Sequence, residues 1–227
     1  MAFTLDRVVP WGRSLSEYRR MFALSDYDLD RKILGCADGP ASVNAELYQR
    51  GKEYTSVDPI YWFSAQHIEE RIEAATPVIV QQLKENHSNY VWDYYQSPEQ
   101  LVKVRRRIMS VFLDDYKNNK PTERYVSGAL PTLPFADRTF ELVLCSYFLF
   151  TYAEQLDETF HQQAVWEMCR VGQEVRLFPL LEVSGQRSRH VDRVIRFLEK
   201  KQVQTDMITV DYEFQQGGNQ LLRLITS

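Results

Sequence analysis

The 227-residue sequence has few cysteines, no excess of basic residues and no long apolar run. Each shortage excludes a class of protein. The three cysteines, Cys36, Cys145 and Cys169, lie far apart and form no CxxC pair. Their odd number and spacing argue against a disulfide framework and a zinc site, so no metal is expected and a reduced cytoplasm is the default location. Lys and Arg number 27 against 31 Asp and Glu, a net charge of −4. General nucleic-acid binding needs a basic excess, so no nucleic-acid partner is expected. No stretch reaches the roughly 18 apolar residues of a membrane span. Met1 to Asp6 carry no apolar signal core. Internal repeats, low-complexity tracts and linkers are also missing. What is present is an ordinary globular balance, 44% hydrophobic and 26% charged. The length suits a single domain with one full core.

The spacing predicts alternating helices and strands. Residues 1–29 read as an N-terminal helical extension, with Ser14 and Glu17 placed as a capping box. A strand at 30–36 runs into the turn Ala37-Asp38-Gly39-Pro40, then a helix at 41–50 that stops at Gly51. A second strand at 53–58 is closed by Pro59, which completes a βαβ unit. Residues 61–120 read as a helical insertion divided by Pro77 and Pro98, with apolar periodicity at Leu101, Val104, Ile108, Val111 and Phe112. The Arg105-Arg106-Arg107 run reads as a solvated helix face. Strands follow at 124–128, 139–147 and 173–179, with helices at 154–170 and 188–201, the latter capped by Ser188. Strands at 206–214 and 220–226 form a closing hairpin around Gly217-Gly218. The pattern implies an α/β sandwich with a mostly parallel sheet.

Two segments suggest a ligand site. Gly35-Cys36-Ala37-Asp38-Gly39-Pro40-Ala41-Ser42 lies between a strand and a helix, where glycine lets backbone approach a ligand. The bland alternative is a tight connection. Asp58, 58 − 39 = 19 residues after Gly39, ends the next strand. Its two carboxylate oxygens could accept both hydroxyls of a ribose, or cap the turn at Pro59.

A third segment brings a family into view. Leu133-Pro134-Phe135-Ala136-Asp137-Arg138-Thr139-Phe140-Glu141-Leu142-Val143 closely resembles the strand-three to strand-four region of class I S-adenosylmethionine-dependent methyltransferases. Gly35 to Ser42 and Val57-Asp58 match the same frame in order, from about Lys32 to the terminal hairpin. The resemblance implies a single methyltransferase-like domain of a bacterial-type member. It implies a Rossmann-like three-layer sandwich with seven strands, the last antiparallel, and the helical insertion after strand two. The cofactor would be S-adenosylmethionine. Gly35, Cys36, Ala37, Asp38 and Gly39 would cradle its methionine part, and Asp58 would hold the ribose. Pro59 and Ile60 would flank the adenine, with Ala129 and Leu130 on its other side. Cys145, Ser146 and Tyr147 would lie near the sulfonium and the methyl acceptor.

The chain departs from the family in three places. Ile33 replaces an acid that helps hold the cofactor amino group, Ala37 replaces the middle glycine, and Ala129 replaces an acid near the adenine. Asp38 and Asn44 stand nearby to compensate. Arg13 and Tyr18 could cover the cofactor carboxylate, or Arg13 could be an exposed arginine. No catalytic base stands out. His190, with Glu182 as its alternative, and Tyr147 are candidates, although a histidine at a loop-to-helix boundary is more often a surface or capping residue. Tyr147, Phe148, Phe150 and Tyr152 could line an acceptor pocket or pack the sheet. Tyr90, Trp92, Tyr94 and Tyr95 could form a lid or pack the insertion. Cys145 reads as a buried, inert thiol.

The leading expectation is therefore methyl transfer to a small molecule. The Asn/Asp-Pro-Pro-Tyr motif of amino-methylating nucleic-acid enzymes is missing, with Cys145-Ser146-Tyr147-Phe148 in its place. The alternative is a methyltransferase-like binding or regulatory protein without catalysis, motivated by Ile33, Ala37 and Ala129. A nicotinamide-dependent oxidoreductase would need G-x-G-x-x-G, which Gly35-x-x-x-Gly39 does not supply.

Overall fold

Successive side chains of a strand face opposite sides of a sheet. Here both sides are apolar. Ile33, Leu142 and Leu144 enter one core, while Leu34, Val143 and Cys145 enter another. A sheet buried on both faces needs helices on both faces. The computed structural model describes residues 10–119 and 124–226. Residues 1–9 of the expected N-terminal extension and residue 120 at the end of the expected insertion lie outside them.

Seven strands form one sheet: β1 (Ile33–Cys36), β2 (Tyr54–Val57), β3 (Tyr125–Val126), β4 (Phe140–Ser146), β5 (Gly172–Phe178), β6 (Gln204–Thr209) and β7 (Gln220–Ile225). Their spatial order is β3-β2-β1-β4-β5-β7-β6. β7 runs antiparallel to both β5 and β6, and the other pairings are parallel. Seven α-helices accompany them: α1 (Leu15–Met21), α2 (Asp26–Leu29), α3 (Val43–Tyr48), α4 (Ala65–Glu85), α5 (Pro98–Asn119), α6 (Glu158–Val171) and α7 (Val191–Lys200). Val165 and Met168 of α6 and Val194 and Leu198 of α7 cover one face. Leu15 of α1, Val43 of α3, Ile79 of α4 and Leu101 of α5 cover the other. The result is the expected three-layer, Rossmann-like α/β sandwich. Among the described residues, no helix is long and apolar enough to cross a membrane.

The insertion differs from its sequence reading in two ways. Pro77 does not divide it, because α4 continues through Pro77 for 21 residues. A mid-helix proline leaves a carbonyl without its intrahelical donor. Pro77 is exposed, so water can reach that side of the helix. Nor is the arginine run wholly solvated. Arg106 and Arg107 are exposed, but Arg105 is fully buried. The predicted strand at 206–214 also ends early, at Thr209. Tyr212 and Phe214 leave the sheet and fill the core beside Tyr90 and Tyr95. Helix α7 begins at Val191, three residues later than expected, with His190 rather than Ser188 at its N-cap.

Arg105 is buried because Glu17 is buried opposite it. Arg105 Nη1 and Nη2 donate to Glu17 Oε2 and Oε1 at 2.6 and 2.7 Å. The capping box of α1 is present, and Glu17 is its acid. Tyr95 and Tyr212 hydroxyls also donate to Glu17 Oε1. Burial raises the Glu17 pKa, but the charge and hydrogen bonds of Arg105 overcome it and hold the carboxyl down at about 2.

Breaking this pair by Arg105→Met should destabilise the protein by about 3–5 kcal/mol, because it strands a buried carboxylate. The measurement is denaturant unfolding at neutral pH. The Glu17 carboxyl is depressed on folding, so its contribution is full above pH 4.5 and lost as pH falls toward about 2. The gap between wild type and variant should therefore shrink across that window.

Candidate functional site

The carboxyl ends of β1, β2 and β4 open into a crevice of about 790 Å³. Ligand sites commonly occupy about 300–1,000 Å³. β1 and β4 deliver their residues by sharp turns. After β1, Ala37 takes a left-handed backbone (φ 53°) and Gly39 follows at φ 55°. After β4, Tyr147 is left-handed too (φ 48°). A non-glycine residue rarely adopts that conformation, and it often marks a functional site.

Asp38 is the centre of the floor. The Tyr18 hydroxyl donates to Oδ1 at 2.5 Å, the Tyr54 hydroxyl to Oδ1 at 3.2 Å, and the Ser56 hydroxyl to Oδ2 at 2.6 Å. Tyr18 also shares a hydrogen bond of 3.0 Å with Ser146 Oγ at the end of β4. Burial raises the Asp38 pKa, and the three hydroxyls oppose it. Gly35 makes this arrangement possible. A Cβ there would overlap the Tyr54 hydroxyl and lie 2.5 Å from the Asp38 carboxylate.

Asp58 forms the next wall. Its Oδ2 accepts the Gly39 N–H at 3.0 Å, and its Oδ1 accepts the Ile60 N–H at 2.8 Å. Burial pushes its pKa up, the two backbone donors pull it down, and nearby Asp38 adds to the rise, leaving it at about 6. Asp58 also caps the short 3₁₀-helix Pro59–Trp62, so the turn-capping role is real and coexists with its place on the wall.

Most of the predicted cofactor residues meet here. Cys36, Ala37, Asp38, Gly39, Asp58, Pro59, Ala129, Leu130 and Ser146 all line the crevice, as does Tyr147. Six expectations need correction. Gly35 is not on the surface of the crevice; it makes room beneath it. Cys145 lies behind the wall, buried, its thiol pushed up to about 12 by burial. His190 is buried away from the crevice and stacks on His161 with ring centroids 4.1 Å apart. Glu182, the alternative base, is committed to Arg189, accepting its Nε and Nη2 at 2.9 Å each. Tyr147 faces the crevice, but burial raises its phenol, which makes it a poor base. Asn44 is also structural, donating to Ser56 Oγ and the Arg124 carbonyl.

The aromatic groups divide between site and core. Tyr147, Phe148 and Tyr152 line the crevice, whereas Phe150 is buried against His161. Tyr90 and Tyr95 pack on Phe214, and Tyr94 is exposed. Arg13 is half-buried on the roof, its guanidinium 3.6 Å above the Tyr147 ring. Sequence reasoning missed the opposite wall, which comes from α4: Arg71, Ala74, Ala75 and Val78. Their i, i+3, i+4, i+7 spacing was a legible signal of one helix face. Dividing the segment at Pro77 concealed it. Among the described residues, no group of three or more His, Cys, Asp or Glu could hold a metal ion.

The strand order, with β7 alone reversed, makes this a Rossmann-like α/β protein with a mostly parallel seven-stranded sheet. No protein-family model matches the chain. An uncharacterized protein of Methanocaldococcus jannaschii is 32% identical over 212 residues, covering 93% of each chain. The chain belongs to the family of that protein. The relative is archaeal, so the expected bacterial type gains no support from it. Among solved structures, a TehB-like S-adenosylmethionine-dependent methyltransferase of Corynebacterium glutamicum aligns with TM-score 0.49 and 15% identity, over 93% of this chain and 86% of that one. Magnesium protoporphyrin IX methyltransferase of Synechocystis, crystallised with S-adenosylmethionine, aligns with TM-score 0.45 and 12% identity, over 89% and 73%. Likeness this distant says nothing of activity.

Gly35→Ala should destabilise the protein by about 1–3 kcal/mol through overpacking. Near-ultraviolet circular dichroism should change with it, because Tyr18 and Tyr54 would be displaced from Asp38.

Proposed function

We propose that this protein is an S-adenosylmethionine-dependent methyltransferase acting on a small molecule. The observation that carries the reading is Asp58 on the wall of a ligand-sized crevice, held by the N–H of Gly39 from the glycine turn. A carboxylate offers about four acceptor sites. Asp58 uses two on backbone donors, so both oxygens keep capacity for a ribose hydroxyl. Pro59 and Ile60 on one side, with Ala129 and Leu130 on the other, form a slot for the adenine. Asp38 supports an answer to the missing acid at Ile33. Three of its acceptor sites are taken by hydroxyls, and the fourth suits an ammonium group. The cofactor supplies a methyl group on a sulfonium. The protein's share is alignment and exclusion of water, with Ser146 and Tyr147 beside the reacting end. A cytoplasmic location fits the three cysteines, which are all free and buried.

The second reading, binding without catalysis, draws on the lining itself. No histidine, lysine or glutamate is among the described crevice residues, and its two aspartates, Asp38 and Asp58, are the ones the first reading gives to the cofactor.

Calorimetric titration with S-adenosylmethionine and S-adenosylhomocysteine tests the cofactor site. Micromolar binding is expected, weakened about tenfold or more by Asp58→Ala through loss of charge-assisted hydrogen bonds. Absence of heat and of thermal stabilisation at millimolar ligand, with folded protein, would overturn the assignment. Binding without methylation of any acceptor would favour the second reading.

A pH series gives a further check. Folding raises the Asp58 pKa from 3.8 to about 6, so this group subtracts stability from the free protein as pH rises through that window. Hydroxyl donors favour the ionised carboxylate. Affinity should therefore increase as pH rises through about 6, and Asp58→Asn should flatten the profile.

A further inference from the structure

The crevice is not a single hollow. A second chamber of about 100 Å³ opens beside it. The two share Trp11, Arg13, Tyr147 and Tyr152 as their common wall. The chamber runs away from the Asp58 side, between α4 and the loop that follows β6. Ile79, Leu83, Tyr90, Val183 and Phe214 make its sides apolar. An apolar cavity of about 150 Å³ accepts a benzene molecule. This chamber is smaller, so it takes a short branched chain or part of a ring, the rest of the body lying in the crevice.

Its polar groups are few and unsatisfied. Thr151 and Gln215 line it and are 8% and 7% exposed. Gln215 Nε2 donates to the carbonyls of Val183 and Glu182, which fixes the amide orientation. Gln215 Oε1 and Thr151 Oγ1 are then buried with no hydrogen-bond partner. Such a group costs free energy until a partner supplies a bond. Arg13 is the sole charged residue among those lining the chamber. Its Nη1 donates to the Trp11 carbonyl at 3.2 Å, and its Nε has no partner. No carboxylate pairs with Arg13 among the described residues. Stacking on Tyr147 and the Nη1 bond to Trp11 leave Nη2 as a charged donor for a carboxylate.

We infer that the chamber is the methyl-acceptor site and that the acceptor is a small carboxylic acid. This rests on the methyl-transfer reading above. The apolar body enters the chamber, a hydroxyl on it reaches Gln215 or Thr151, and the carboxylate stays at the shared wall on Arg13. A cationic acceptor would meet Arg13 with no acid in the lining to offset it. The assignment also asks for no general base. A carboxylate is already ionised, so no proton has to leave. One of its oxygens attacks the methyl carbon and forms a C–O bond. The C–S bond breaks, its electron pair stays on sulfur, and the products are a methyl ester and a neutral thioether.

The test is calorimetry on protein saturated with S-adenosylhomocysteine, using benzoate, 4-hydroxybenzoate, 3-methylbutanoate and benzylamine as probes. Mass spectrometry then looks for methyl esters after incubation with S-adenosylmethionine. At least one acid should bind and be esterified, and benzylamine should not bind. Arg13→Gln should weaken the acid about tenfold or more and S-adenosylhomocysteine by less. Val183→Phe, at a half-buried loop position, should block the acid in the same way. The inference is overturned if S-adenosylhomocysteine binds but no acid binds or is methylated. It is equally overturned if benzylamine binds as well as the acids, or if Arg13→Gln weakens S-adenosylhomocysteine as much as acid. Failure of wild-type protein to bind S-adenosylhomocysteine would overturn the cofactor reading together with this one.

Discussion

The buried pair of Glu17 and Arg105 joins three distant parts of the chain. Glu17 belongs to α1, Arg105 to the insertion helix α5, and Tyr212 to the loop after β6. Arg105 also donates to the Gly12 carbonyl, one residue before Arg13. The roof of the crevice, Trp11 to Arg13, is thus held by the same guanidinium that neutralises Glu17. A buried ion pair adds little net stability, because desolvation cancels most of its attraction. What it supplies here is position. Any arrangement that parts α1 from α5 leaves two charges unpaired in the core.

Two buried carboxylates shift in opposite directions, and the partners explain why. Glu17 faces a full guanidinium and ends at about 2. Asp38 faces three neutral hydroxyls, which do not offset its burial, so its pKa rises. Neutral donors stabilise a carboxylate less than a cation does. Asp38 thereby remains responsive to a positive group placed beside it, whereas Glu17 is already satisfied. One acid fixes the scaffold, and the other belongs to the site.

Local signals carried most of the architecture. The capping box at Ser14 and Glu17, the apolar run of β4 and the Gly39–Asp58 interval are written within short windows. Arg105 was not legible, because three consecutive arginines look solvated until a distant acid is brought opposite one of them. Pro77 misled for a related reason: a proline breaks a helix by default, but packing of Ile72 and Ile79 on either side holds this one. The early end of β6 depends on Tyr90 and Tyr95, more than a hundred residues away, offering Phe214 a better site than the sheet edge. His190 sat at the right distance after β5, but its stacking on His161 takes it away from the crevice. In each case the deciding contact was long-range.

The crevice is shaped before any ligand arrives. Ala37 and Tyr147 each occupy a left-handed conformation costing roughly 1–2 kcal/mol for a non-glycine residue. Both are held by backbone bonds to neighbouring strands, Ala37 N–H to the Val57 carbonyl at 2.9 Å and Tyr147 N–H to that of Phe178 at 2.7 Å. Arg13 then covers the Tyr147 ring. Among the described residues six non-glycine positions have a left-handed backbone, and Ala37 and Tyr147 are the two that line the crevice. The Tyr147 ring lies in the wall between the two hollows and carries Arg13. The turn at Ala37 directs Asp38 back over Gly35. The left-handed turns therefore belong to the geometry that separates the crevice from the chamber beside it.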